Sequence, residues 1–205
     1  MRLKNIPGAR DYITENELCV NNPLEYYGHW NNVFMNENPI YLEVGTGKGQ
    51  FIRQSSKANT DVNFIGIERY SSVLYKAITR IEQEKPDNLL FICENAYMMS
   101  DMFSKGEISK IYLNFSDPWP KDRHAKRRLT SERFLSIYKK VLKKDGFIIF
   151  KTDNVELFDY SVDTVGNDPD YVMEASTYDL HADVMLSANN IMTGYRSEEC
   201  RVGKE

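Results

Sequence analysis

The chain has 205 residues, of which 41% are hydrophobic and 27% charged, and its formal net charge is -4. These values are typical of one folded domain with a sizeable core. They exclude a generally basic nucleic-acid coat, so contact with RNA would require a local basic patch. The three cysteines have no CxxC spacing, which favours unpaired thiols over a metal site or disulfides. No apolar run is long enough for a signal peptide or a membrane span, so we expect a cytoplasmic protein that binds neither membrane nor metal.

Short apolar runs alternate with longer amphipathic runs from residue 40 onwards. Residues 1–39 are predicted to form a cap segment that is partly helical around residues 23–34. The predicted strands are residues 40–44, 63–68, 89–93, 108–115, 146–151 and 171–175. The predicted helices are residues 50–56, 71–84, 97–103, 130–142 and 155–165, with Asp145 and Gly146 ending the fourth. This alternation predicts an α/β fold with a doubly wound, mostly parallel sheet that binds ligands at the carboxyl ends of its strands.

A glycine loop, residues 45–49 (GTGKG), follows the first predicted strand. A dinucleotide fingerprint requires glycine where Gln50 stands, and a P-loop requires Ser or Thr directly after its lysine, so both phosphate motifs fail. A GxGxG loop after an acidic residue, Glu43, looks more like the S-adenosylmethionine loop of Rossmann-like methyltransferases. The amides of Gly45 and Gly47 suit the carboxylate of that cofactor, and Glu43 suits its ammonium group. A structural turn without a ligand is the alternative interpretation.

Two further polar residues follow the next two predicted strands. Glu68 closes its strand where an acidic side chain can bind both ribose hydroxyls of a nucleoside, or else it is a solvated strand-end acid. Asn95 can offer its amide to the edge of adenine, or else it only forms a turn. Because the carboxyl ends of parallel strands meet at one edge, these positions predict one cofactor site.

The most informative stretch is residues 111–128, IYLNFSDPWPKDRHAKRR. A buried strand runs into the DPWP loop (residues 117–120) and then the basic segment (residues 121–128). A carboxylate, an aromatic ring and a phosphate-binding loop together suggest chemistry on a nucleic-acid base. Asp117 alternatively caps the turn, and Trp119 is more typical of packing under the loop than of base stacking. The basic side chains, for which a solvated face is the alternative, are Lys121, Arg123, His124, Lys126, Arg127 and Arg128.

Several segments, taken together, resemble the bacterial tRNA (guanine-N7-)-methyltransferase family: YLEVGTGKG, NFIGIE, CENA, NFSDPWPKDRHAKRR, FKTDN and IMTGY. The specific part is DPWPK followed by RHxKRR. The resemblance implies a class I, Rossmann-like methyltransferase fold whose seventh strand is antiparallel. It also implies that the chain transfers a methyl group from S-adenosylmethionine to N7 of a guanine in the variable loop of tRNA.

The same resemblance implies roles for single residues. Glu43, Glu68, Asn95 and Asp117 line the cofactor site, and Asp117 also lies at the reaction centre. Lys121 and Asp153 contact the substrate, the RHAKRR loop meets RNA, and Thr193 belongs to the T-x-Y-E substrate segment. For Asp153, a helix cap formed with the next residue is a competing explanation. Guanine N7 has a free lone pair and no proton, so the reaction needs alignment and electrostatics rather than a general base.

The end of the sequence departs from the family pattern. Arg196 stands where the pattern has Glu, and the tail RSEECRVGKE resembles a translated sequencing adapter. We therefore expect residues 40–195 to form the methyltransferase domain, residues 196–205 to be a non-native tail, and the last strand of the sheet to be missing. We also expect a monomer, because the sequence has no long apolar surface helix.

Three other classes of protein remain open from the sequence. An amine-methylating nucleic-acid enzyme uses Pro-Pro before its aromatic residue, whereas Trp119 separates Pro118 from Pro120 here. A small-molecule methyltransferase would leave the basic segment unexplained. A non-catalytic RNA-binding module is the third alternative if truncation has destroyed the edge of the fold, and a calorimetric test of cofactor binding distinguishes it.

Overall fold

Seven strands make one sheet. The computed structural model of the chain describes residues 5–180, 182–187 and 198–204, with backbone alone for the last range. The strands are β1 (Ile40–Val44), β2 (Asn63–Ile67), β3 (Leu89–Ile92), β4 (Ile108–Asn114), β5 (Leu142–Thr152), β6 (Tyr171–Thr177) and β7 (Glu198–Lys204). All six predicted strands are therefore present, with small differences at their ends.

Helices connect most of these strands. The α-helices are α1 (Ala9–Glu15), α2 (Trp30–Phe34), α3 (Gln50–Ala58), α4 (Ser71–Ile81), α5 (Met99–Met102), α6 (Glu132–Val141), α7 (Val155–Gly166) and α8 (Val184–Ser187). Short 3-10 helices span Pro23–Tyr26, Glu82–Glu84, Ala96–Met98 and Asp122–Arg127. Among the described residues, no helix is both long and apolar enough to cross a membrane.

The sheet has the order β3-β2-β1-β4-β5-β7-β6. Strands β1 to β5 are mutually parallel, and β7 lies antiparallel between β5 and β6. The chain moves outward from β1 to β3 and then returns to the other side of β1 with β4. Strands β1 and β4 thus flank the switch point at which open α/β sheets bind ligands. The predicted doubly wound, mostly parallel fold is confirmed.

The helices bury two apolar clusters against the sheet. The larger cluster includes Trp30 of α2 and Phe158 of α7, and the smaller includes Ile13 of α1 and Ile78 of α4. Trp30 is fully buried, and its indole N–H donates to the carbonyl of Met102 at 2.9 Å. The N-terminal segment is therefore packed into the core, while the predicted domain boundaries stay a prediction.

The expected absence of the last strand is wrong, because Glu198–Lys204 forms β7. Its backbone pairs with β5 on one side and with β6 on the other. Strands β5 and β6 each present an edge of N–H and C=O groups, which an extended segment between them satisfies. Such ladder bonds are made by the backbone, so a segment of unusual composition can supply the strand. The origin of residues 196–205 stays a prediction.

Two local expectations also differ from the structure. Helix α6 ends at Val141 and β5 begins at the next residue, so the turn predicted at Asp145 and Gly146 lies inside a strand. Leu142 already pairs with Ile108, and residues 143–146 bulge out before the ladder resumes, so pairing overrides the turn signal. Helix α1 was missed because only Ala9 and Ile13 mark its buried face.

Substitution of Gly66 in β2 tests the close packing of this sheet. A Cβ at Gly66 would lie 2.8 Å from two ring atoms of Phe91 and 3.2 Å from Cδ1 of Ile52. Overpacking a core costs about 1–3 kcal/mol, so we expect Gly66→Ala to lower the free energy of unfolding by that amount in urea denaturation. Gly166→Ala is the control, because nothing lies within 4 Å of its Cβ. Equal stabilities of the two variants would contradict this packing.

Candidate functional site

Glu43 lies near the end of β1 and is only 3% exposed. Its Oε2 accepts a hydrogen bond from the hydroxyl of Thr46 at 2.6 Å, and its Oε1 accepts one from Nδ2 of Asn114 at 2.8 Å. Thr46 belongs to the glycine loop and Asn114 is the last residue of β4. One buried carboxylate therefore joins the two sides of the switch point.

The glycine loop folds over the carboxyl end of β2. The amides of Gly45 and Thr46 donate to the carbonyl of Ile67 at 2.8 and 3.1 Å. The amide of Gly47 donates to Oε2 of Glu68 at 3.1 Å. Gly45 and Gly47 have φ angles of 79° and 56°, the left-handed region that favours glycine. Glu68 and the glycine loop thus meet at one edge of the sheet, as predicted.

Carboxylates concentrate negative charge at this edge. Burial raises the pKa of Glu43 to about 7, although the hydrogen bonds from Thr46 and Asn114 lower it, and the charge of Glu68 adds a smaller rise. Burial also raises the pKa of Glu68, and the charge of Asp117 adds to that rise. A positive group that enters this cluster relieves the repulsion, so the site favours a cationic ligand. Within the described ranges, no group of three or more His, Cys, Asp or Glu could hold a metal ion.

Two buried polar atoms at the end of β4 add acceptor capacity. Within the described part of the chain, Oδ1 of Asn114 and Oγ of Ser116 have no hydrogen-bond partner. Buried polar atoms are normally paired, and Asn114 is linked to the glycine loop through Glu43, so its oxygen is available to a ligand at this edge. The amide nitrogen of Asn114 is held by Glu43, which leaves its oxygen to accept from that ligand.

The DPWP loop presents Asp117 as an exposed carboxylate just beyond β4. Phe115 and Trp119 have φ angles of 51° and 44°, which are uncommon for large side chains and turn the chain sharply. The half-buried indole of Trp119 packs edge-on against His124, with ring centroids 5.8 Å apart. Cζ of Arg127 lies 4.9 Å from the indole centroid. Trp119 thus packs against the basic segment, and Asp117 faces solvent.

The basic segment winds into a 3-10 helix over Asp122–Arg127. Its exposed cations are Lys121, Arg123, Lys126 and Arg127, whereas His124 and Arg128 are half-buried. The hydroxyls of Tyr97 and Ser131 donate to the carbonyl of Lys126 at 3.1 and 3.3 Å. The exposed charges therefore stand on an anchored backbone beside the DPWP loop.

Asn95 and Asp153 lie at the predicted edge of the sheet. Oδ1 of Asn95 accepts from the amide of Tyr97 at 3.2 Å, so this side chain caps the 3-10 helix that follows. At α7 the cap is Asn154, whose Oδ1 accepts from the amide of Leu157 at 2.7 Å. Asp153 itself is exposed. The residue that caps α7 is therefore Asn154 and not Asp153. The side chain of Asn95 already accepts one hydrogen bond from within the chain.

Sequence reasoning missed two residues that hold the site together, Thr46 and Asn114. The available signals were a hydroxyl inside the glycine loop and a polar residue at the end of an apolar strand. The sequence predicts that Arg128 contacts RNA, whereas in the structure its guanidinium donates to two carbonyls of the DPWP loop. The predicted substrate residue Thr193 lies outside the described residues.

Comparison with known proteins identifies relatives that match most or all of the chain. A family model described as "Putative methyltransferase" matches residues 37–205. A tRNA (guanine-N(7)-)-methyltransferase of Lachnoclostridium phytofermentans is 48% identical over 203 residues, which cover 99% of this chain and 94% of the relative. The protein of the same name from Bacillus subtilis is 43% identical over 205 residues, which cover 100% of this chain and 95% of the relative.

Solved structures share the fold. The aminoglycoside resistance methyltransferase NpmB1 gives a TM-score of 0.60 at 14% identity and covers 87% of this chain and 93% of its own. The 16S rRNA methyltransferase KamB gives a TM-score of 0.59 at 13% identity, with coverage of 87% and 93%. At this level of identity the similarity concerns the fold alone.

The buried carboxylate of Glu43 should make stability depend on pH. Because the pKa of Glu43 in the folded chain is about 7, against an ordinary 4.5, its favourable contribution is complete below the ordinary value and is lost as the pH rises through 7. Glu43→Gln stays neutral and can still donate to Thr46 and accept from Asn114. From about pH 5 to about pH 8, we expect the wild type to lose on the order of 3 kcal/mol of unfolding free energy relative to the variant.

Chemical denaturation at several pH values measures this difference. Glu68 is present in both proteins, so the difference between the two pH profiles reports mainly on Glu43. Parallel profiles of wild type and Glu43→Gln would show that Glu43 does not titrate in this range.

Proposed function

We propose that the chain, which belongs to the bacterial tRNA (guanine-N7-)-methyltransferase family, transfers a methyl group from S-adenosylmethionine to N7 of a guanine in the variable loop of tRNA. One observation carries the proposal. The acidic cluster around the glycine loop lies directly beside the DPWP loop and the anchored basic segment. A site for a cationic methyl donor therefore adjoins a surface suited to a polyanion.

The residues around the glycine loop fit S-adenosylmethionine. When bound, this cofactor supplies an electrophilic methyl group on a cationic sulfur. Gly45 and Gly47 suit its carboxylate, and Glu68 suits its ribose hydroxyls, while Asn95 can meet the adenine edge. Glu43 and the amide oxygen at the end of β4 provide negative charge and an acceptor for its ammonium group. The donor set and the charge of the site thus match the cofactor.

Asp117 is the proposed catalytic residue. As the methyl group moves, the bond from sulfur to carbon breaks, the bond from carbon to N7 forms, and positive charge passes to the purine. No proton has to be removed, because N7 reacts through its lone pair. The carboxylate of Asp117 can accept hydrogen bonds from N1–H or the amino group of guanine and so stabilise the charge that develops on the base.

The exposed side of the basic segment is the proposed surface for tRNA. Lys121 and Asp153 would contact the nucleotide, and Thr193 keeps its proposed substrate role from the family pattern. The cations proposed to meet phosphates are Arg123, His124, Lys126 and Arg127. Because the proposed substrate is a tRNA, the proposed location of the protein is the cytoplasm. That the protein is a monomer stays a prediction.

Methylation of unmodified tRNA transcripts tests the function. With labelled S-adenosylmethionine, we expect 7-methylguanosine among the nucleosides separated by mass spectrometry. Asp117→Asn keeps the shape of the side chain but loses its charge, and should lower the rate about 10²–10³-fold. Lys140→Ala, at an exposed position in the last turn of α6, should keep the wild-type rate. A methylated amino group instead of N7 would assign the chain to the amine-methylating class.

The salt dependence of tRNA binding tests the basic segment. If three to five phosphates are neutralised, the logarithm of the binding constant should fall against the logarithm of salt concentration with a slope of about -2 to -4. Arg123→Ala removes one exposed cation and should make the slope shallower by about 1. A slope near zero for the wild type would exclude phosphate contacts.

A further inference from the structure

The guanidinium of Arg128 does not face solvent in the way its neighbours do. Arg128 is half-buried, whereas Arg123 in the same basic segment is exposed. Nε of Arg128 donates to the carbonyl of Pro118 at 3.1 Å, and a terminal nitrogen donates to the carbonyl of Trp119 at 3.2 Å. Two of the N–H groups with which an arginine can bind a phosphate are thus donated to the protein's own backbone.

The plane of this guanidinium is also fixed. Cζ of Arg128 lies 4.2 Å from the ring centroid of Tyr160 in α7. The backbone amide of Arg128 donates to the carbonyl of Ala125 at 2.9 Å, which closes the 3-10 helix. Arg128 therefore connects three parts of the site: the basic segment, α7 and the DPWP loop.

The segment that Arg128 holds is conformationally demanding. Trp119 has a φ of 44° between two prolines, and neither proline has an amide hydrogen to donate. Bulky residues in the left-handed region persist only where surrounding contacts impose the conformation. Donation to two successive carbonyls is such a contact, and Pro118 directly follows Asp117.

We infer that Arg128 is a positioning residue for methyl transfer and does not bind a tRNA phosphate. Its hydrogen bonds to the carbonyls of Pro118 and Trp119 set the position of the neighbouring Asp117. The inference rests on the proposed function of Asp117. A misplacement of about 1 Å at a reacting group can cost about 10²-fold in rate. Loss of Arg128 should therefore appear in kcat rather than in tRNA affinity.

Kinetics of four variants separate positioning from phosphate binding. Arg128→Ala should lower kcat at saturating tRNA by about 10- to 100-fold and leave the salt slope of tRNA binding unchanged. Arg128→Lys keeps the charge but lacks the planar fork that spans both carbonyls and stacks on Tyr160, so it should lose nearly as much. Arg123→Ala, at a proposed phosphate contact, is the contrasting variant and should act on KM and the salt slope, whereas Lys140→Ala outside the site should leave kcat, KM and the slope unchanged. If Arg128→Ala behaves like Arg123→Ala, or if Arg128→Lys restores activity, Arg128 is a phosphate ligand and the inference is wrong.

Fluorescence gives a readout that does not depend on activity. The chain has two tryptophans, and Trp30 is fully buried, so acrylamide quenching reports mainly on Trp119. Arg128→Ala should increase this quenching, and Tyr160→Leu should increase it less, whereas Arg123→Ala should leave it unchanged. Unchanged quenching in a folded Arg128→Ala protein would overturn the inference. If the wild type makes no 7-methylguanosine but the quenching result holds, the proposed function fails and the anchoring role stands.

Discussion

The site depends on one buried carboxylate. Glu43 stands where the sheet reverses its strand order, and it accepts one hydrogen bond from the glycine loop and one from the end of β4. A buried acid is tolerated only when its oxygens accept hydrogen bonds, so Glu43 requires the donors of Thr46 and Asn114. These two side chains are in turn positioned by Glu43. The placement of the glycine loop, and of the strand end that leads to Asp117, therefore follows from the same group.

The basic segment combines two tasks that its sequence does not distinguish. Its exposed cations give a local positive patch to a chain whose net charge is -4, which is what a polyanionic ligand requires. Its inner side is devoted to structure: the carbonyl of Lys126 accepts two hydroxyl donors, and Arg128 donates to the DPWP loop. The same segment thus presents its cations to solvent on one side and holds the DPWP loop on the other.

The fold could be predicted from the sequence because short apolar runs mark the strands, amphipathic runs mark the helices, and their alternation is typical of a parallel sheet. The expectations that failed concern contacts distant in sequence. Strand β7 forms by backbone pairing with β5 and β6, and the amino-acid composition of a segment gives little indication of such pairing. Glu43 and the strand-end acids were found because they follow strands, but the partners of Glu43 and the inward fork of Arg128 are visible only in three dimensions. Charge alone made Arg128 look like its neighbours.

Alkylation of a lone pair needs no proton transfer, so placement is most of what such a protein can contribute. Among the described residues, two of the four non-glycine residues with positive φ lie in the turn after β4. Left-handed residues such as Phe115 and Trp119 cost about 1–3 kcal/mol each, and the contacts around them offset that cost. The amide of Phe115 donates to the carbonyl of Lys151 at 2.8 Å, and Arg128 holds the two carbonyls beyond Asp117. The backbone that carries the exposed carboxylate of Asp117 is therefore anchored on both sides by the folded chain, so its course is fixed before a ligand binds.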